Sequence, residues 1–334
     1  MTDGFGSGDR AAERDEHHAH VWVDGRLLDA GEAHLSVFDR GFQLGDGIFE
    51  TLRARAGRPT ELAEHTARLR SSAAGLGIPL PDDIAERLDT GIAQLLAADA
   101  LDGETGDASV RITVSRGVFR GRGLLPPDEI VSPTIVIQAW PVVPASARHL
   151  EHGLHLIASS VRRDPASPLA TLKTTSRADF VYARLEARRA GADDALFLTI
   201  DDVLSEGTSA NIFVVRRAVD DAPELATPSL ECAILPGTTR SWLLAWGERV
   251  GLRPVETRLT RSDLAAADEA FLSSSVAGVL PVTRFEAAPI GSGVPGPWTR
   301  RARADREALI RGTATPSSAR AASTATARVA DGPR

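Results

Sequence analysis

A two-domain α+β fold is what this sequence predicts, on three observations. Its 334 residues exceed what one hydrophobic core ordinarily serves. Strand alternation and helical spacing are mixed within the first half, and the same mixture restarts in the second. Between them lies Trp140-Pro141-Val142-Val143-Pro144-Ala145-Ser146, whose prolines forbid a continuous ladder or helix. The reading divides the chain into a disordered N-terminus (1–19), a first domain (20–139), a linker (140–153), a second domain (154–311) and a disordered Ala/Ser/Thr/Arg tail (312–334).

Within the first domain, Val21-Trp22-Val23 and Arg26-Leu27-Leu28 read as two short strands joined at Asp24-Gly25. Three glycines, Gly41, Gly45 and Gly47, imply an unusual backbone or a close approach just before the strand Ile48–Arg55. Helical spacing follows over Glu61–Ala74 and over Ile84–Ala98, the latter through Ile84, Leu88, Ile92, Leu95 and Leu96. Val110–Val114 and Thr134–Ala139 are strands on either side of a loop rich in glycine and arginine. The second domain opens with a strand over 154–161 and continues with a helix through Phe180, Leu185 and Ala187. Strands follow at Ala195–Thr199 and Ile212–Val215, then a helix carrying Trp242 and Trp246, a strand at Val255–Arg258, a helix around Ser262–Ala267 and the stretch Glu269–Val279.

Composition bounds the function. A formal charge of −7 argues against nucleic acid as a partner, and no run approaches the roughly 18 apolar residues of a membrane helix. Without a secretory pattern at its start, the chain reads as cytoplasmic. Cys232 is the single cysteine, which excludes an intrachain disulfide and a cysteine-based zinc site; it is expected to be a small buried or half-buried residue. His17, His18 and His20 lack the spacing that completes a metal site, and Gly153 interrupts His149, His152 and His155, so no metal is expected.

One residue stands apart. Of 38 lysine and arginine residues only Lys173 is lysine. Arginine copies a surface charge or a phosphate contact, but its guanidinium stays protonated and cannot act as an amine nucleophile. The position that kept lysine is therefore a candidate Schiff-base amine. Three further features accompany it. Glu206 is a carboxylate among small polar residues, Pro236-Gly237-Thr238-Thr239 leads into a helix whose first N–H groups can meet an anion, and Ser273-Ser274-Ser275 supplies hydroxyls. Pyridoxal phosphate needs these four things: a lysine for its aldehyde, an acid for its pyridine nitrogen, and N–H groups and hydroxyls with an arginine for its phosphate.

The order of motifs carries a resemblance. Asp39-Arg40-Gly41-Phe42-Gln43-Leu44-Gly45-Asp46-Gly47-Ile48-Phe49-Glu50, Lys173, Glu206-Gly207-Thr208-Ser209-Ala210-Asn211-Ile212-Phe213, Leu235-Pro236-Gly237-Thr238-Thr239-Arg240 and Phe271-Leu272-Ser273-Ser274-Ser275 together resemble the class IV pyridoxal-phosphate aminotransferases, of fold type IV. The resemblance runs from about residue 20 to 310. It implies a small N-terminal and a larger C-terminal α/β domain, and a homodimer with its active sites between the domains. Lys173 would bind the cofactor aldehyde and shuttle a proton, and Glu206, flanked by Ser209, Ala210 and Asn211, would pair with the pyridine nitrogen. Arg68 would hold the phosphate with Gly237, the N–H groups and hydroxyls of Thr238 and Thr239, Ser274 and Ser275.

Within that family the candidates are transaminases of D-amino acids or related amines, branched-chain transaminases and aminodeoxychorismate lyases; a non-catalytic cofactor-binding homologue is the reading from outside enzymology. The Gly45–Glu50 segment resembles the D-amino acid and lyase groups, Ala178 stands where branched-chain enzymes place a tyrosine, and Phe49 stands where D-amino acid enzymes commonly have one. Tyr182, the only tyrosine, is expected to be packed. An amino donor and a 2-oxo acid acceptor each carry a carboxylate, which arginine binds with a fork. Arg111, Arg116, Arg120 and Arg122 are the candidates, with Phe49 beside them. Arg111 leads because a charge in an otherwise apolar strand requires a partner. The expected reaction is transamination between a D-amino acid or related amine and a 2-oxo acid.

Overall fold

The computed structural model describes residues 20–126 and 131–313; the segment with His17 and His18, and the tail from residue 314, lie outside the described residues. The chain forms two compact units, Met1–Val143 with Lys173–Ser176, and Pro144–Leu172 with Arg177–Arg334. Of the stretch expected as linker, Trp140 and Pro141 end a strand opposite Ser109 and Ala108, and residues 147–152 form a helix. A proline lacks a donor but keeps its carbonyl, so it is tolerated at the last position of a ladder.

The first unit contains β1 (His20–Val23), β2 (Arg26–Asp29), α1 (Arg40–Leu44), β3 (Gly47–Arg55), β4 (Arg58–Pro59), α2 (Leu62–Leu76), α3 (Ile84–Ala98), β5 (Asp107–Ser115) and β6 (Thr134–Pro141). Its antiparallel six-stranded sheet has the order β2-β1-β6-β5-β3-β4. Asp24 and Gly25 both have positive φ, the geometry that a two-residue hairpin turn demands. Alternation sets the core: Ala108, Val110, Ile112 and Val114 of β5 are buried while the residues between them stay half-exposed. Leu69 and Ala73 of α2, with Ile84, Leu88, Ile92 and Leu95 of α3, belong to the same apolar cluster. Each such leucine or isoleucine contributes about 1.5–3 kcal/mol by leaving water.

The second unit contains α4 (Ala147–His152), β7 (Leu154–Arg163), α5 (Ala178–Arg189), β8 (Asp194–Thr199), β9 (Leu204–Gly207), β10 (Asn211–Arg217), β11 (Pro223–Pro228), α6 (Thr238–Val250), β12 (Arg253–Thr257), α7 (Arg261–Ala265), β13 (Glu269–Ser274), β14 (Gly278–Phe285), β15 (Ala288–Pro289) and α8 (Pro297–Ile310). Its mixed sheet runs β12-β11-β10-β13-β14-β7-β8-β9, with β15 on β14. The path returns on itself, because β9 also meets β10 where Glu206 lies opposite Asn211. Leu156, Leu196, Leu198, Ile212, Val214 and Leu272 fill one side of this sheet, and Trp242 and Trp246 of α6 pack with Phe213 and Phe271. Cys232 is buried, as expected. Tyr182 is not packed but exposed, because α5 turns Ala183 and Ala187 inward instead. Among the described residues no helix is long and apolar enough to cross a membrane.

Candidate active site

Lys173 is fixed by its backbone. The first half of β3 has an open edge, and the four-residue segment 173–176 pairs with it: the Phe49 N–H donates to the Lys173 carbonyl at 2.9 Å and the Thr175 N–H to the Gly47 carbonyl at 2.9 Å. The Lys173 N–H donates to Ser72 Oγ on α2 at 3.1 Å. Glycine is required where the segment arrives. Gly45 has φ +66°, and a Cβ there would stand 2.5 Å from Ser176 Oγ; a Cβ on Gly47 would stand 2.9 Å from the Val114 carbonyl. The lysine was expected in the second domain, yet this non-local pairing places it in the first unit.

Phe49 gathers the charges around it. Lys173 Nζ lies 4.5 Å from the ring centroid and the Arg111 guanidinium 4.0 Å from it. Arg111 and Phe49 share a face because they sit diagonally on paired strands, opposite Thr51 and Thr113. The Nε of Arg111 donates to Thr113 Oγ1 at 3.3 Å, and burial pushes its guanidinium down from the ordinary arginine value. Among the described residues Arg111 forms no ion pair, although a charge so placed was expected to have a partner.

The other three arginines are placed differently. Arg116 is buried and fully engaged: it donates to both oxygens of Asp46, at 2.7 and 3.0 Å, and to the carbonyls of Leu76 and Gly77 at the end of α2. Arg40 shares Asp46 at 2.8 Å and holds the carbonyls of Gly123, Leu124 and Leu125. Burial raises the Asp46 carboxyl, but the hydrogen bonds of Arg116 and Arg40 outweigh it and hold it below the usual carboxylate range. Arg120 and Arg122 are exposed, Arg120 lying 5.4 Å over Phe38.

Arg68 belongs to a buried triad. Its Nε donates to Glu50 Oε1 at 2.8 Å and its Nη2 to Oε2 at 2.7 Å, and His65 Nδ1 meets Oε2 at 2.7 Å. Burial pushes the Glu50 carboxyl up, yet Arg68 and then His65 prevail and hold it at about 2. Glu50 and His65 escaped the sequence reading as site residues. Two signals pointed to them: Glu50 alternates with Ile48, Leu52 and Ala54 on the core face of β3, where a carboxylate needs partners, and His65 precedes Arg68 by one helical turn.

In the second unit, the sheet's return fixes Glu206. Its side chain is 8% exposed, and Oε2 accepts from the Leu235 N–H at 3.0 Å and from Asn211 Nδ2 at 3.4 Å. Ala210 accepts from the Gly207 N–H and is half-buried, whereas Ser209 is exposed at the turn. Helix α6 begins after Gly237 with no side-chain cap. A Cβ on Gly237 would stand 2.2 Å from Asn211 Oδ1, which bars any larger residue. Thr238 Oγ1 and Ser275 Oγ lie 3.1 Å apart, and Ser274 Oγ accepts from the Ala277 N–H. Thr239 departs from expectation: its hydroxyl is buried against Arg306 Nη2 at 3.3 Å, so only its N–H is available to a phosphate. By the chemistry of each group taken separately, a helix start with paired hydroxyls suits a phosphate, a buried carboxylate held by N–H donors suits a pyridine nitrogen, and a lysine suits an aldehyde. The residues present fit pyridoxal phosphate.

Comparison with known proteins agrees. The family model described as amino-transferase class IV matches residues 47–285. The chain is 34% identical over 282 residues, 84% of its length and 93% of the relative, to a protein provisionally named a branched-chain-amino-acid aminotransferase from Methanocaldococcus jannaschii. It is 32% identical over 285 residues, 84% of its length and 93% of the relative, to the D-alanine aminotransferase of Bacillus licheniformis. The solved 4-amino-4-deoxychorismate lyase of Pseudomonas aeruginosa superposes with a TM-score of 0.73 at 33% identity, over 87% of this chain and 98% of that one.

Proposed function

This chain belongs to the class IV aminotransferases and is a pyridoxal-phosphate-dependent enzyme of fold type IV, and from that premise we propose that it moves an amino group between a D-amino acid, or a related primary amine, and a 2-oxo acid. The observation that carries this reading is Arg111. Its guanidinium has no carboxylate partner among the described residues and lies over the same ring as Lys173 Nζ, where the carboxylate of an amino acid would complete it. Similarity to a D-alanine aminotransferase and the Gly45–Glu50 segment support the D-configuration.

In this reading Lys173 would hold the cofactor through its aldehyde carbon, and its Nζ would move the proton at Cα of the amino donor. Glu206 would pair with the pyridine nitrogen, and its Leu235 and Asn211 partners would keep the carboxylate aimed. Arg68, oriented by Glu50, would hold the phosphate, as would the N–H groups of Thr238 and Thr239 and the hydroxyls of Thr238 and Ser275. When bound, the cofactor supplies an electron sink for the charge left at Cα. A cytoplasmic location goes with such water-soluble substrates.

The test is spectral. D-alanine added to the yellow holoenzyme should convert the absorbance of the aldehyde form to that of the amine form, and Arg111→Gln should raise the KM for D-alanine by about tenfold or more, as expected for a lost charge-assisted pair. Conversion by L-leucine and not by D-alanine would favour a branched-chain enzyme. A second reading draws on the similarity to a lyase: no response to either amine, with pyruvate released from aminodeoxychorismate, would replace the transaminase. A homodimer is part of the proposal, supported by apolar side chains exposed on the first unit, Phe42, Leu124 and Leu125, near Arg40. Sedimentation velocity should return twice the 35.4 kDa chain mass, and a concentration-independent monomer would refute it.

A further inference from the structure

We infer that Arg163 is a positioning residue for Glu206: the fixed counter-charge that keeps this carboxylate anionic and turned toward a ring nitrogen. The inference rests on the role given to Glu206 above. Arg163 ends β7, and its Nη2 lies 3.8 Å from Glu206 Oε1, on the oxygen opposite to the one held by Leu235 and Asn211. At that distance it acts through charge rather than through a hydrogen bond.

The guanidinium is locked in place by groups that do not neutralise it. Its Nε and Nη2 donate to the Ala233 carbonyl at 3.3 Å each, and Nη2 also to the Ala170 carbonyl at 3.1 Å. It lies 5.0 Å from the Phe180 centroid and 5.9 Å from that of Phe197, two rings packed edge to face. Carbonyls and ring faces orient a cation without cancelling its charge. Among the described residues Glu206 is the one carboxylate in ion-pair range of Arg163, and the Arg163 side chain is only 16% exposed, so solvent screens the pair weakly. Lysine cannot reproduce this fork and stack, which makes arginine a requirement of geometry as well as charge.

The experiment measures binding rather than turnover. Apoprotein is titrated with pyridoxal phosphate and with its 1-deaza analogue, in which carbon replaces the pyridine nitrogen, and tryptophan fluorescence gives both affinities. The wild type should prefer pyridoxal phosphate, and Glu206→Gln should abolish that preference. Arg163→Gln should reduce it by about tenfold, the effect of a one-unit change in proton affinity at the pair, while leaving affinity for the analogue within about threefold; Arg163→Lys should restore part of the preference. Glu206→Gln/Arg163→Gln should show no further loss beyond Glu206→Gln alone, since both changes remove one interaction. The double variant also serves if Arg163→Gln does not fold, because it leaves no buried charge unpaired. Equal loss of both ligands on Arg163→Gln, or additive losses in the double variant, would overturn the inference. If Glu206→Gln itself leaves the preference intact, the role of Glu206 fails first and this inference falls with it.

Discussion

Lys173→Ala should give a folded protein whose turnover is lower by at least about ten-thousandfold, since one side chain supplies both the covalent amine and the proton shuttle. Folding should survive because the segment is held by backbone: the Lys173 carbonyl accepts from Phe49 and its N–H donates to Ser72, and alanine keeps both. Lys173→Arg separates chemistry from charge. Arginine retains the cation beside Phe49 but offers no nucleophilic amine, so it should be as inactive as alanine and remain bleached after incubation with the cofactor. Half-reaction rates within tenfold of wild type in either variant, measured by stopped-flow absorbance, would remove Lys173 from the mechanism.

Glu50→Gln should destabilise the protein by about 3–5 kcal/mol at pH 7, because it removes the carboxylate that the buried Arg68 guanidinium and the His65 ring share. The same change should weaken binding of pyridoxal phosphate far more than binding of pyridoxal, since Arg68 loses the fork that orients it. Acid provides the sign test. With its folded pKa lowered from 4.5 to about 2, Glu50 contributes stability that is fully present above the unfolded value and lost as pH falls through the folded one. That contribution is on the order of 3 kcal/mol, of which about 2 kcal/mol should vanish between pH 7 and pH 3. Urea unfolding should therefore show the gap between wild type and Glu50→Gln narrowing over that interval. A gap independent of pH would mean that shape, not charge, is what glutamine removes.

Local patterns made much of the fold legible. The helix at Ile84–Ala98 was readable because Ile84, Leu88, Ile92, Leu95 and Leu96 all bury on one face, and Asp24-Gly25 announced its hairpin through backbone conformation alone. Helix α8 was not readable, since the side chains it buries are Thr299, Ala302, Arg306 and Ile310, too polar and too small to show a period. Strand β9 hid as well: Leu204–Gly207 resembles a turn and is buried only because it completes the sheet's return to β10.

The candidate site divides along the same line. Lys173 stood out through the absence of other lysines, and Glu206 and Thr238 through motif order. What sequence could not supply was engagement. Arg116 and Arg111 look alike in the chain, yet Arg116 is tied to Asp46 while among the described residues Arg111 has Thr113 and an aromatic face. Arg163 gave no signal at all, because its partners Ala170, Phe180, Phe197 and Ala233 come from four separate places in the second unit.

The four residues 173–176 carry a consequence for how such a protein can be inherited. Pairing with β3 makes them part of the first unit although the chain on both sides belongs to the second, so the backbone changes unit at Val143, at Leu172 and again at Ser176. Neither unit is a contiguous cassette. Recombination that joined a first unit from one ancestor to a second unit from another would hand over Lys173 with the wrong half, its segment then facing a foreign strand edge. The two units must descend together, and any change in β3 has to be compatible with a lysine encoded more than a hundred residues later.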